Sequence, residues 1–176
     1  QAFKDSETKI ITPVKTYDPN NEFDEEYFEF SLFMSRREYK TIKRRMQAGR
    51  IASIKEGNYI GTNPPYGYRK IHPAPKVRTL EIVEEEANVI RMIFDDYLHH
   101  GKGAKAIATK LNLLQIPPQK ADRWECVSVR KILKNPIYAG KILWHTKKDG
   151  DILAEGHHEG IISYESFCEV QKRMKK

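Results

Sequence analysis

The residue types in this 176-residue chain that could do chemistry are mostly basic, and they come in blocks. Residues 36–55 carry Arg36, Arg37, Lys40, Lys43, Arg44, Arg45, Arg50 and Lys55 against Glu38 alone, a net +7. Residues 100–150 carry eleven bases against Asp122, Glu125 and Asp149, a net +8. Acidic blocks separate them, −6 over residues 17–30 and −5 over residues 79–99. Two basic surfaces on separate elements are the electrostatic footprint of a polyanion binder, although any one block also reads as a solvated helix face. Other chemistries lack their residues. The chain has no GxxxxGK run followed by Ser or Thr, no GxGxxG and no GxSxG, so phosphate-cradling and nucleophile-elbow motifs are absent. Ser6, Ser31, Ser35, Ser53, Ser128, Ser163 and Ser166 have no recognisable base beside them. His157-His158-Glu159 offers adjacent metal ligands, but neighbouring residues of a strand or helix point in different directions, and no HExxH run accompanies them. A metal nuclease built on this pair is therefore a remote reading, and neither a metal nor another cofactor is expected.

The elements that must carry the bases follow from periodicity. Ile10–Val14 reads as an edge strand and residues 16–23 as a turn-rich connection. From Asp24 to Glu56 only Gly49 interrupts a helical pattern, and Asp24, Glu25 and Glu26 fall in a first turn that favours acid. Phe28, Leu32, Ser35, Tyr39, Ile42, Met46 and Gly49 recur at alternating intervals of four and three, a narrow seam suited to a second helix. Tyr27, Phe30, Phe33 and Met34 thicken the first third, which should pack on a globular body while the later part projects. At 1.5 Å per residue such a helix reaches roughly 50 Å. Residues 57–68 form a linker stiffened by Pro64-Pro65. Its Tyr66 and Tyr68, next to Arg69, are candidates to line a groove, or else to cap the following core.

A second unit begins there. An amphipathic helix through Val83, Ala87, Ile90, Phe94 and Leu98 stops at Gly101, and Ala104–Leu114 is another, with Ile107, Ala108 and Leu111 inward. Cys126–Lys134 turns Val129, Ile132 and Leu133 inward. A hairpin is expected over Lys141–Trp144 and Asp151–Leu153, around Asp149-Gly150, and Ser163 can cap a last helix with Phe167 and Val170 inward. The fold class expected is mainly α with a small β component: a long N-terminal helix, a Pro-rich linker, and a compact, helix-turn-helix-like domain with a β-hairpin. The dozen residues between the two short helices exceed the usual three- or four-residue turn. If the second of these helices enters a major groove, Ser128 and Lys131 are its base or phosphate contacts, with Arg130 and Lys134 on phosphate. With the bases of the long helix, this makes double-stranded DNA the expected partner. No apolar run approaches the ~18 residues of a membrane span, and Cys126 and Cys168 alone fit a reducing, cytoplasmic setting.

Larger stretches carry a family likeness. RREYKTIKRRMQAGR (Arg36–Arg50), NPPYGY (Asn63–Tyr68), the run from Ile82 to Asn112, VRKILKNPIYAG after Trp124, and HHEGIISYESFCEVQ (His157–Gln171) resemble, in order and spacing, the large serine recombinases of phages and transposons. The resemblance implies four segments. Residues 1–23 would end a catalytic domain, and 24–56 would form a helix that dimerises and crosses DNA. Residues 57–68 would lie by the minor groove, and 69–176 would be a recombinase domain reading an attachment half-site. Glu38, Arg45 and Gly49 match family positions, whereas Tyr39 stands where many relatives carry Arg. The family's nucleophilic serine and its zinc ribbon have no counterpart in these residues. A chain starting at Gln1 is thus expected to be a piece of a longer, bacterial or phage-encoded, nucleoid-associated enzyme, with no catalytic residue of its own. The alternative is a dimeric helix-turn-helix transcriptional regulator.

Overall fold

The chain divides into two units, Gln1–Gly49 and Arg50–Lys176, in a computed structural model that describes residues 8–18, 20–146 and 150–175. In the first unit β1 (Ile10–Ile11) pairs antiparallel with β2 (Thr16–Tyr17), Ile10 opposite Tyr17. The strand expected to reach Val14 ends at Ile11 because the chain turns at once. The Thr12 hydroxyl donates to the Lys15 carbonyl at 2.7 Å, and the Thr12 amide donates to the same oxygen. Helix α1 runs Glu22–Lys55 and starts two residues earlier than expected, since Asn21 is its cap. The Asn21 Oδ1 accepts from the amides of Phe23 and Asp24 at 3.0 and 3.3 Å. Lys15 Nζ lies 2.5 Å from Asp24 and, with the Asp18 amide, holds that carboxyl below its usual range.

Among the described residues, little covers the first third of α1. Tyr27 and Phe28 meet an aromatic partner, Tyr17, at ring separations of 6.0 and 5.6 Å. Phe23, Phe30 and Phe33 are exposed. A ribbon of two two-residue strands is too small to cover them. The far end of α1 closes on Gly57 at φ +85, with the Gly57 amide on the Ile54 carbonyl (2.8 Å) and the Asn58 amide on the Ser53 carbonyl (3.0 Å). That is a Schellman cap, which needs a left-handed residue and so favours glycine.

In the second unit, residues 68–82 form a ribbon that the apolar pattern did not announce. Strand β3 (Tyr68–Ala74) pairs antiparallel with β4 (Val77–Ile82). Its residues are mostly polar and include Pro73, so periodicity gave little signal for a strand exposed along much of its length. Then follow α2 (Glu84–Leu98), α3 (Ala104–Leu113), α4 (Cys126–Lys134), a single 3-10 turn (Pro136–Ala139), the hairpin β5 (Lys141–Thr146) and β6 (Gly150–Glu155), and α5 (Tyr164–Lys175). Asp149 of the expected hairpin turn lies outside the described residues. The architecture is α-rich, with five helices and three two-stranded ribbons among the described residues. One core holds the second unit together. Ile90, Ile93, Ile107, Leu111, Val129, Leu133 and Val170 are fully buried within it. A side chain of this kind contributes about 1.5–3 kcal/mol when buried.

Candidate nucleic-acid interface

Helix α4 buries Val129, Ile132 and Leu133, and the spacing of those three dictates what is left outside. Val127, Arg130, Lys131 and Lys134 are exposed, and positions separated by three or four residues share one helix face. Ser128 sits half-buried at the side of this stripe. None of the three bases has an ion-pair partner among the described residues. Val127 was not among the candidates from sequence, yet it is 50% exposed in the first turn of a basic stripe. The signal existed: Val127 precedes Arg130 by three residues and Lys131 by four.

Three devices hold α4 in place. Asn112, at the end of α3, accepts from the Trp124 amide at 2.8 Å and donates to the Trp124 carbonyl at 2.9 Å. This two-way clamp closes the twelve-residue connection between α3 and α4 at its base. Inside the loop, Trp124 Nε1 donates to the Ile116 carbonyl (2.9 Å) and its ring meets Tyr66 edge-on at 5.2 Å. Asp96, only 2% exposed, accepts from Lys102 and Lys110, each at 2.7 Å, and so ties α2 to α3. Burial alone would raise the Asp96 pKa, but the two ammonium groups hold it below the usual value. Finally, Gln171 of α5 donates to the Leu133 carbonyl at 2.7 Å, satisfying an orphan acceptor at the end of α4.

Two nominated contacts lie in the interior instead. Tyr66 and Tyr68 are core residues. Tyr68 stacks on Tyr138 at 6.0 Å, meets His158 edge-on at 5.5 Å and donates to the Glu159 carbonyl at 2.9 Å. Burial pushes the Tyr68 and Tyr138 phenols above their ordinary range. Their rings are apolar enough to fill a core, and each Tyr66 and Tyr68 hydroxyl finds a carbonyl there. Arg69, by contrast, is exposed and paired with Glu81 at 2.5 Å. The His157-His158 pair is likewise structural. His158 is buried with Nε2 against the Ile137 carbonyl at 2.8 Å, and burial lowers its pKa so that the ring is neutral. The His157 amide donates to the Gly57 carbonyl at 3.0 Å. Among the described residues no three His, Cys, Asp or Glu are gathered as a metal site would require.

Along α1 every nominated base, Arg36, Arg37, Lys40, Lys43, Arg44, Arg45 and Arg50, is exposed. At about 100° per residue, Arg36, Arg37, Lys40, Lys43 and Arg44 fall in one sector about 120° wide, and Arg45 lies on the side opposite Arg36. The seam residues Leu32, Tyr39, Ile42 and Met46 are exposed beside that sector.

Comparison with known proteins names the domain. The Recombinase family model matches residues 84–176, more than half of the chain and all of α2 to α5. The chain belongs to the Recombinase family. The likeness drawn from its motifs is thereby borne out. A putative DNA recombinase of Bacillus subtilis strain 168 is 34% identical over 120 residues, which is 65% of this chain and 23% of that protein. An uncharacterized immunity region protein of Bacillus phage phi105 is 33% identical over 79 residues, 45% of this chain and 56% of that one. A crystal structure of an LSR–DNA complex superposes with a TM-score of 0.58 at 27% identity, covering 74% of this chain and 39% of its counterpart. A structure concerned with the sequence requirements of the Listeria innocua prophage attP site gives 0.56 at 27% identity, with 74% and 51% covered. This Recombinase chain therefore spans from under a quarter to just over half the length of these proteins. No helix among its described residues is long and apolar enough to cross a membrane.

Proposed function

We propose that this chain is the DNA-binding portion of a serine site-specific recombinase and that it recognises an attachment half-site during integration or excision of a mobile element. The observation that carries the reading is the stripe Val127, Arg130, Lys131 and Lys134, unpaired and exposed on a short helix whose opposite face is locked into the core. Helices α3 and α4, closed by the Asn112–Trp124 clamp, act as a helix-turn-helix-like pair despite their long connection, with α4 in the major groove. Ser128 and Lys131 reach base edges, while Arg130 and Lys134 sit on phosphates. Residues 57–68 follow the minor groove with Arg69 beside them, and Tyr66 and Tyr68 support the surface from beneath. The bases of α1 contact the backbone, and its exposed seam is the face through which the full-length protein self-associates. Residues 1–23 end a catalytic domain that carries the nucleophilic serine. This assignment places the protein with DNA in a bacterial cytoplasm.

The test is selection of duplex DNA from a random pool by the chain at near-physiological salt. One extended, asymmetric site is the expected product. A short palindrome would favour a dimeric regulator, and enrichment of nothing would remove sequence recognition from this domain. With the selected site in hand, Arg44→Ala and Arg45→Ala should weaken binding to all sequences alike, whereas Lys131→Ala should relax the preference at one position. Unchanged preference in Lys131→Ala and Ser128→Ala would mean that α4 is not the reading helix.

A further inference from the structure

The β3–β4 ribbon carries a basic surface that the segment-by-segment reading above leaves without a role. Within ten residues it presents Arg69, Lys70, His72, Lys76 and Arg78, with Glu81 the only acid on either strand. Arg69 is taken up by Glu81, and Lys70 hydrogen-bonds the Thr62 carbonyl, which leaves its charge uncompensated. The side chains of His72, Lys76 and Arg78 are exposed and have no hydrogen-bond or ion-pair partner among the described residues. The Arg78 main chain is fixed on both sides, its amide to Asn58 Oδ1 at 2.9 Å and its carbonyl to the Tyr59 amide at 2.8 Å. Only its guanidinium is free to reach outward.

Two features distinguish this ribbon from an ordinary charged hairpin. The first is its tip. Ala74 pairs with Val77, so Pro75 and Lys76 are the central residues of the turn, and Lys76 stands at φ +69. A turn with proline first and a left-handed residue second is of type II, whose second position glycine occupies without strain. Lysine there keeps backbone strain in exchange for a charge at the outermost point of the arm, and strain retained at one position points to function. The second is a cavity of about 270 Å³ at the base of the arm, lined by Tyr59, Lys70, His72, Arg78 and Thr79 among others. Lys70 pairs with Leu80, so Lys70 and Arg78 share the ribbon face at this cavity, whereas Thr79, paired with Ile71, turns its side chain to the other face. Two cations converging on one cavity suit an oxyanion, which supplies acceptors to both.

We propose that the β3–β4 ribbon is a phosphate-gripping arm separate from α4. The basal cavity takes one backbone phosphate of duplex DNA through Arg78 and Lys70, and Lys76 meets another phosphate along the strand. The inference rests on the DNA-binding reading above and adds a second anchor to it. The arm contributes affinity and register, not sequence preference, because phosphates carry no sequence.

The test compares the wild-type chain with Lys76→Gly, Arg78→Ala and Lys70→Met. Binding to the selected duplex is measured across a salt series, with thermal melts alongside. Lys76→Gly and Arg78→Ala should each weaken binding about threefold to tenfold and lower the salt slope by about 0.9, one phosphate contact apiece. Lys76→Gly should at the same time melt about 3 °C higher, because the turn strain is relieved. Lys70→Met should weaken binding by a similar factor while melting close to the wild type, since the aliphatic stem is kept and only the charge is lost. A folding defect would lower affinity and melting temperature together, so weaker binding without a lower melting temperature separates contact from structure. Wild-type affinity and slope in all three variants, with the wild type binding DNA, would overturn the arm alone. Failure of the wild type to bind any duplex at low salt would overturn the DNA reading itself and the arm with it. Stabilisation of wild type but not Arg78→Ala by sodium phosphate over sodium chloride at matched ionic strength, with DNA binding unchanged in every variant, would reassign the cavity to free phosphate.

Discussion

Residues 32–46 of α1 and residues 87–94 of α2 carry the same kind of helical apolar repeat and meet opposite fates. In α2, Ala87, Ile90, Ile93 and Phe94 are at most 2% exposed. In α1, Leu32, Tyr39, Ile42 and Met46 are 44–65% exposed. The difference does not lie in the helices, since both have clean periodicity. It lies in what the rest of the chain provides. Helices α3, α4 and α5 surround α2 on its apolar side, whereas the described residues of the first unit offer α1 only the Tyr17 ring near its start. An apolar stripe states that a helix must be covered, and says nothing of whether the cover comes from the same chain.

The comparison can be broken most decisively in the two stripes themselves. Ile93→Ala in α2 should cost about 2–5 kcal/mol, whereas Ile42→Ala in α1 should change the unfolding free energy of the single chain by less than about 0.5 kcal/mol. Urea titrations of both variants at low protein concentration decide it, and a comparable cost at Ile42 would mean that the seam is covered within the chain.

Next in size is the Asp96 tie. Asp96→Ala should cost about 2 kcal/mol, because it leaves Lys102 and Lys110 without their shared acceptor, while removal of exposed Glu38 from α1 should cost nothing measurable. Thermal melts of the two variants make the contrast.

Two glycines eight residues apart sharpen it further. Gly57 holds φ +85, and a Cβ there would lie 2.9 Å from the Glu155 carbonyl. Gly57→Ala should therefore destabilise by about 1–3 kcal/mol. Gly49 lies within α1 with nothing within 4 Å of an added Cβ, so Gly49→Ala should stabilise the helix by up to about 1 kcal/mol. Opposite signs are expected in the same denaturation experiment.

The smallest effect is a pH dependence confined to the second unit. His158 is neutral in the folded state because burial depresses its pKa from the ordinary 6.5. Its contribution is complete above pH 6.5 and declines as pH falls below that value, where the unfolded chain takes up a proton that the folded chain refuses. His158→Gln retains a donor for the Ile137 carbonyl and should lose this part of the decline. Urea midpoints of both proteins between pH 7.5 and 5 provide the check.

How much of this was legible beforehand varied by element. The bounds of α4 and its buried trio Val129, Ile132 and Leu133 were read directly, because a short amphipathic helix repeats every 3.6 residues whatever packs on it. So were the inward residues of α3 and the Ser163 cap of α5, whose Oγ accepts from the Ser166 amide at 3.2 Å. The β3–β4 ribbon was missed because its polar residues and Pro73 leave no alternation to detect. For Tyr66 and Tyr68 the sequence left groove and core both open, because tyrosine beside arginine fits a groove as well as it fits a core edge. Val127 carries no charge, and its place on the basic stripe shows only in its spacing from Arg130 and Lys131.

The sequence by itself determined the helices, the charge blocks and the family to which the domain belongs, all properties carried by local spacing and motif order. Tertiary structure alone decided which aromatic rings became core, how a twelve-residue connection closes between Asn112 and Trp124, and which bases remain unpaired on α4 and on the ribbon. Those outcomes depend on groups distant in sequence competing for the same carbonyls, carboxylates and buried space. Local pattern has no access to that competition until the chain has folded.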